Sequence, residues 1–151
     1  MLRTKRQPWR ERSIRLSRLF MTTETAIFPD TETLAAPAPQ SAKALAAEFA
    51  RTAVERDAAG GTPLAERDAL RRSGLLSLAI PKRYGGHGAS WAETLDTVRE
   101  FAQVDSSIAH VYGFHHLLLA TVRLFARPDQ WEPWYEQTAR KHWFWGNALN
   151  P

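Results

Sequence analysis

From residue 41 onward, apolar positions recur with a helical period in one segment after another. Leu45, Phe49 and Ala53 are spaced by four, with Ala46 and Ala50 beside them. This stripe predicts one amphipathic helix from a cap at Ser41 to Ala59. Gly60-Gly61 ends it, and Thr62-Pro63 restarts a helix with proline in the first helical position. Leu64 and Leu70 are its expected inward residues, and Gly74 closes it. LLSLAIP, residues 75–81, is short and apolar, and Pro81 pushes the residue before it out of the helical region. PKRYGGHGAS then reads as a tight glycine turn. Ser90 and Glu93 form an S-x-x-E capping box that starts a helix to about Val104, with Leu95, Val98, Phe101 and Ala102 on one face. Asp105-Ser106-Ser107 breaks and recaps the chain. Residues 108–126 are apolar nearly all round, the pattern of a central buried helix. Pro128-Asp129 opens a last helix. HWFWGNALNP, residues 142–151, turns aromatic and reads as the opening strand of a sheet.

The expected organisation is therefore a basic arm and flexible lead-in over 1–40, a helical domain over 41–141, and the start of a further β-domain over 142–151. A lone strand has no partner for its backbone groups, so the chain is expected to be truncated there. The fold class is all-α, a helical bundle ending at the first strand of a missing domain.

Charge changes the picture in one place. Residues 1–20 hold seven Lys or Arg against one acid, Glu11, for a balance of +6. The remainder holds 13 basic and 15 acidic residues, so the body is mildly acidic and general nucleic-acid binding loses its support. Three readings of the arm stand: a nucleic-acid or membrane-surface tail, a targeting peptide, or an extension foreign to the protein. The third is favoured, because Met21 opens MTTETAIF like an ordinary start. No apolar signal-peptide core follows the arginines. The chain has no cysteine, which excludes disulfides and thiol catalysis and suits a cytoplasmic setting. The longest apolar stretch, Leu117 to Val122, is too short to span a bilayer.

The chemistry concentrates in HVYGFHH, His110 to His116. A metal site is disfavoured: His110 and His115 lie roughly 140° apart on a helix, and no acid occurs between Asp105 and Asp129. Most histidines on an apolar helix pack and bond a carbonyl. The pocket reading rests on His110 and Phe114, which share a face four residues apart. Gly113 between them costs about 1 kcal/mol of helix stability against alanine and would let a flat ring or another backbone approach. A buried imidazole beside an aromatic ring could then give or take a proton. YGGHG, 84–88, lacks the Lys-Ser/Thr ending of a phosphate loop and reads as a turn. Trp131, Trp134 and Tyr135 read as packing residues or an interface patch, and Glu93, Asp96 and Glu100 as a solvated helix face.

Three quoted segments carry a resemblance: Leu78-Ala79-Ile80-Pro81-Lys82-Arg83-Tyr84-Gly85-Gly86-His87-Gly88, then Asp105-Ser106-Ser107-Ile108-Ala109-His110, then Trp143-Phe144-Trp145-Gly146-Asn147-Ala148. In this order they resemble the N-terminal helical domain of the acyl-CoA dehydrogenase superfamily, over residues 41–151. H-V-Y-G-F-H with the later W-x-x-G-N-A looks most like its flavin-dependent monooxygenase branch, similar to dibenzothiophene monooxygenase. That resemblance implies a flavin, FMN or FAD, delivered reduced by a separate reductase, whose hydroperoxide oxygenates a small-molecule substrate. It implies His110 as the catalytic proton handler. Phe114, Asn147 and Asn150 would contact the flavin and His115 the substrate, with no metal. Phe114 stands where the branch often has tyrosine, so a hydroxyl donor is absent. It further implies a homo-tetramer when full length, no nucleic acid and no membrane, and tight flavin binding only with the β- and C-terminal domains. Two rivals remain: a true FAD-dependent acyl-CoA dehydrogenase, and a helical interaction module using Trp131, Trp134, Trp143 and Trp145.

Overall fold

A computed structural model describes residues 40–146 of the protein. Six helices follow in order: α1 Ala42–Ala50, α2 Ala53–Ala59, α3 Leu64–Arg72, α4 Trp91–Ala102, α5 Ser106–Phe125 and α6 Pro128–Lys141. Two 3-10 turns, Leu75–Ser77 and Lys82–Tyr84, lie between α3 and α4. No strand forms among the described residues, and residues 143–146 leave α6 without helical structure. The arm and most of the lead-in, like Asn147 and Asn150, lie outside the described residues.

Local signals set most helix ends. Ser90 Oγ accepts from the Glu93 N–H, and a Glu93 carboxylate oxygen accepts from the Ser90 N–H at 2.7 Å, the reciprocal box the pattern predicts. Asp105 Oδ1 accepts from the Ile108 N–H at 2.9 Å and starts α5. Ser41 occupies the cap position of α1, but its side chain makes no capping bond.

The predicted single helix over 41–59 is two. It breaks at Arg51-Thr52, where Arg51 and Thr52 N–H groups donate to carbonyls only three residues back. Arg56 explains the break. Its guanidinium reaches back to the Phe49 carbonyl at 3.3 Å, and it lies 2.8 Å from both Glu66 Oε1 and Asp105 Oδ2. These partners belong to α3 and to the α5 cap, so the pairing pulls α2 out of line with α1.

The core has two parts. Leu45, Phe49, Leu70, Leu76, Phe101, Ile108 and Tyr112 form the first; Ile80, Tyr84, Leu119, Trp131 and Tyr135 form the second. α4 does not bury the face its apolar residues outline. Thr94, Thr97 and Phe101 point inward, each threonine hydroxyl donating to the carbonyl four residues back, whereas Leu95 is 55 % exposed. Leu64, expected inside, is likewise exposed.

α5 is not buried all round. Ile108, Ala109, Tyr112, His115, His116 and Leu119 face inward, while Val111, Leu117, Leu124 and Phe125 are exposed. Two polar histidines, His115 and His116, have gone in, while Leu117 and Leu124 have gone out. Gly113 faces Val98 of α4, where a methyl group would meet ordinary van der Waals contact, so it opens no passage for a ring.

Two glycines of the 85–88 turn are needed for different reasons. Gly85 adopts a left-handed φ of 83°. Gly86 lies so close to Ile80 that a Cβ there would collide with the Ile80 carbonyl and side chain. At the end of α6, His142 takes a left-handed conformation, φ 51°, and reverses the chain so that residues 144 and 145 reach α5.

Candidate functional site

The site is built on α5. Its position follows from the 3-10 turn beneath it, Leu75–Ser77. The Leu75 and Leu76 carbonyls are buried and require donors. His116 Nε2–H donates to the Leu75 carbonyl at 3.1 Å, joined by the Tyr112 hydroxyl at 3.3 Å. His115 Nε2–H donates to the Leu76 carbonyl at 2.7 Å. His115 and His116 therefore act as two adjacent clamps between helix and turn.

Both clamps are neutral. Burial pushes the His115 imidazole down to about 4, against a smaller upward pull from the Leu76 carbonyl. Burial, then the neighbouring His115, pushes His116 down to about 3. With Nε2 carrying the proton, His115 Nδ1 is free to accept, and it does so from the Trp145 N–H at 3.1 Å. His116 Nδ1 is buried and has no partner. His115, expected to touch substrate, is 0 % exposed and spends both nitrogens inside the domain.

His110 and Phe114 lie elsewhere on the same helix. His110 is exposed and stacks on Phe114 with ring centroids 4.4 Å apart and planes 26° apart. The sequence pattern paired these two correctly, but placed the imidazole in the interior. Exposed Val111 and Leu117 extend the same helix with apolar surface. Two cavities occur nearby, about 400 Å³ between α2 and the start of α5 and about 490 Å³ between the starts of α4 and the second half of α5; neither is lined by His110 or Phe114.

The aromatic patch of the interaction-module reading does not assemble as one surface. Trp131 and Tyr135 are buried, and Trp145 is half-buried with its indole N–H donating to Thr138 Oγ1 at 2.8 Å. Trp134 and Trp143 remain exposed. No cluster of three or more His, Asp or Glu among the described residues is placed to hold a metal.

The arrangement of six helices, glycine turn and Asp105-capped α5 has a counterpart among known proteins. The family described as "Acyl-CoA dehydrogenase, N-terminal domain" matches residues 32–142. The chain belongs to this family. Within it, the acyl-CoA dehydrogenase N-terminal domain of this chain is most informative beside four relatives. It is 75 % identical over 115 residues to a Pseudomonas putida protein named "Probable FMNH2-dependent monooxygenase SfnC", covering 76 % of this chain and 29 % of that one. It is 46 % identical over 107 residues to the dibenzothiophene monooxygenase of Rhodococcus erythropolis, covering 71 % and 26 %. The structure of methanesulfinate monooxygenase MsuC from Pseudomonas fluorescens superposes with a TM-score of 0.71 at 78 % identity, covering 73 % of this chain and 28 % of that one. TdsC from Paenibacillus sp. A11-2, with FMN and indole, gives 0.66 at 50 % identity, covering 68 % and 26 %. The chain thus spans under a third of the length of the relatives it matches.

The residues that sequence reasoning missed are His116 and Trp145. His116 carried no signal of its own, because an adjacent histidine on an apolar helix does not reveal which side faces a buried carbonyl. Trp145 acts through its backbone N–H, which no side-chain pattern reports.

Proposed function

We propose that this chain forms one wall of the flavin and substrate cleft of an FMN-dependent monooxygenase acting on small organosulfur compounds. The observation that carries the reading is the open, stacked His110–Phe114 pair on a helix whose other two histidines are turned inward. Such a pair suits a flavin, which is a flat ring system with apolar faces and a polar edge. α5 offers an imidazole for the edge and apolar Val111 and Leu117 beside it. Asn147 and Asn150 are assigned to the same cofactor.

Reduced FMN, when bound, supplies the electrons that activate dioxygen; one oxygen atom goes to the substrate and the other leaves as water. The chain's own residues orient and protect. His110 holds or passes a proton at its ring nitrogens, and stacking on Phe114 keeps its plane fixed. Phe114 has no hydroxyl, so proton handling at this point rests on His110 alone. Val111 and Leu117 exclude water from the covered face.

Identity favours a small sulfinate over a fused aromatic thioether. It is 78 % with the methanesulfinate enzyme and 46 % with the dibenzothiophene enzyme of Rhodococcus. The reading includes a separate flavin reductase as partner, a homo-tetramer and a cytoplasmic location. No helix among the described residues is long and apolar enough to cross a membrane.

The test is conversion of methanesulfinate to methanesulfonate by the full-length protein, supplied with FMN, NADH, dioxygen and a flavin reductase. Product formation that depends on FMN supports the reading. Absence of oxygenation with sulfinates and aromatic thioethers alike, in a folded protein, would overturn it.

A further inference from the structure

The segment after α6 lies across α5 and is held at one point that no side-chain pattern predicts. Phe144 packs against the first core cluster and Trp145 against the second. His115 sits between them. Its ring meets Phe144 edge-on at 5.4 Å, its Nδ1 accepts the Trp145 N–H at 3.1 Å, and its Nε2–H donates to the Leu76 carbonyl at 2.7 Å. The Trp145 indole is fixed separately through Thr138.

We propose that His115 is a positioning residue: one imidazole links the Leu75–Leu76 turn to the Phe144–Trp145 segment and so sets where the chain runs as it approaches Asn147. The two nitrogens have opposite jobs, donor toward the turn and acceptor toward the segment, which only a neutral imidazole with the proton on Nε2 performs. A lysine, a serine or an apolar residue cannot bridge both. The inference rests on the cleft reading above only for its consequence, which is that flavin affinity depends on this segment's placement.

The experiment separates the two nitrogens. An asparagine at this position places an acceptor near that of Nδ1, and a glutamine places a donor near that of Nε2. In the 151-residue chain, amide hydrogen exchange is followed at Trp145 and, as an internal control, at Leu119 and Tyr112. The result expected is faster exchange at Trp145 by about tenfold or more in His115→Gln and His115→Phe, near-native protection in His115→Asn, and control amides less affected than Trp145. Equal exchange at Trp145 in wild type and His115→Gln overturns the proposal. So does acceleration of Trp145 and control amides by the same factor, which marks a merely structural residue. In the full-length protein, His115→Gln is expected to weaken reduced-FMN binding about tenfold and to leave turnover at saturating FMN within about threefold. If Trp145 loses protection while FMN binding is unchanged, the positioning role stands and the cleft reading falls.

Discussion

The His110 imidazole stacks on the Phe114 ring, with centroids 4.4 Å apart, on the open side of α5, while its neighbours in sequence, His115 and His116, are sealed beneath the same helix. Three histidines within seven residues thus occupy two environments. One is available to a partner, and two are spent on backbone.

Replacing His110 by Phe should therefore leave the fold intact and remove the proton path. In the full-length protein, with reductase and FMN, oxygenation should fall by about 100-fold or more, with an unchanged circular dichroism spectrum. Unaltered turnover would show that His110 is only a surface residue. Phe114→Tyr should fold equally well, because it adds a hydroxyl at a half-buried edge.

The buried pair makes stability pH-dependent. Above pH 6.5 His115 and His116 are neutral in folded and unfolded chains alike and contribute no slope. As pH falls below that value the unfolded chain takes up protons that the folded chain excludes, because their folded values are depressed to about 4 and about 3. Each histidine should then cost about 1.4 kcal/mol per pH unit, with the loss from His115 ending near pH 4 and that from His116 near pH 3. Partial burial shifts His87 in the same direction. Urea unfolding of the chain at pH 7, 6 and 5 should show this decline, and His116→Gln should flatten it. Constant stability over that range would refute the buried neutral assignment.

Gly86→Ala should be among the most damaging substitutions of a small residue. The added methyl collides with the Ile80 backbone, which cannot swing aside as a flexible side chain would. A loss of about 3 kcal/mol or more is expected, read from the thermal unfolding midpoint. Gly85→Ala has room for its methyl but must hold φ at 83°, so about 1–2 kcal/mol is expected there.

Arg56→Met should destabilise by about 3 kcal/mol, because it strands two largely buried carboxylates, Glu66 and Asp105. Glu66 Oε2 already lacks a partner, and without Arg56 the carboxylate keeps only the Thr52 hydroxyl, which donates to Oε1 at 3.1 Å. The double variant Arg56→Met/Glu66→Leu should recover much of the loss, since the apolar replacement no longer buries that charge. Denaturation of the four-member cycle measures the coupling; purely additive effects would show that the network is not one unit.

Local chemistry was legible along the chain. The Ser90–Glu93 box, the Asp105 cap, Pro128 and the paired Gly60-Gly61 announced their ends because each acts within one turn of backbone. The family likeness was legible for a related reason, since its turn and cap sequences are contiguous. Faces were less legible. Leu95 looked inward, yet Thr94 and Thr97 are buried on α4 beside the expected Phe101, since a threonine can satisfy its own hydroxyl on the helix and pack its methyl. The break at Arg51-Thr52 was invisible because its cause, Arg56 bonding to Glu66 and Asp105, joins residues up to 49 positions apart.

By itself the sequence determined where α5 begins and that His110 and Phe114 share one side of it. A helix that is apolar nearly all round leaves open which side goes in. Tertiary structure decided that, because the Leu75–Leu76 turn buries two carbonyls that take donors from α5, and the turn itself supplies one only to Leu75. Beside the Leu78 N–H that already donates to the Leu75 carbonyl, Tyr112 and His116 donate to Leu75 and His115 donates to Leu76. Leaving the Leu76 carbonyl unpaired would cost about 1–3 kcal/mol, whereas exposing single apolar residues such as Val111 and Leu117 forfeits only their burial. So the histidine pair turned inward, and His110 was left on the open side.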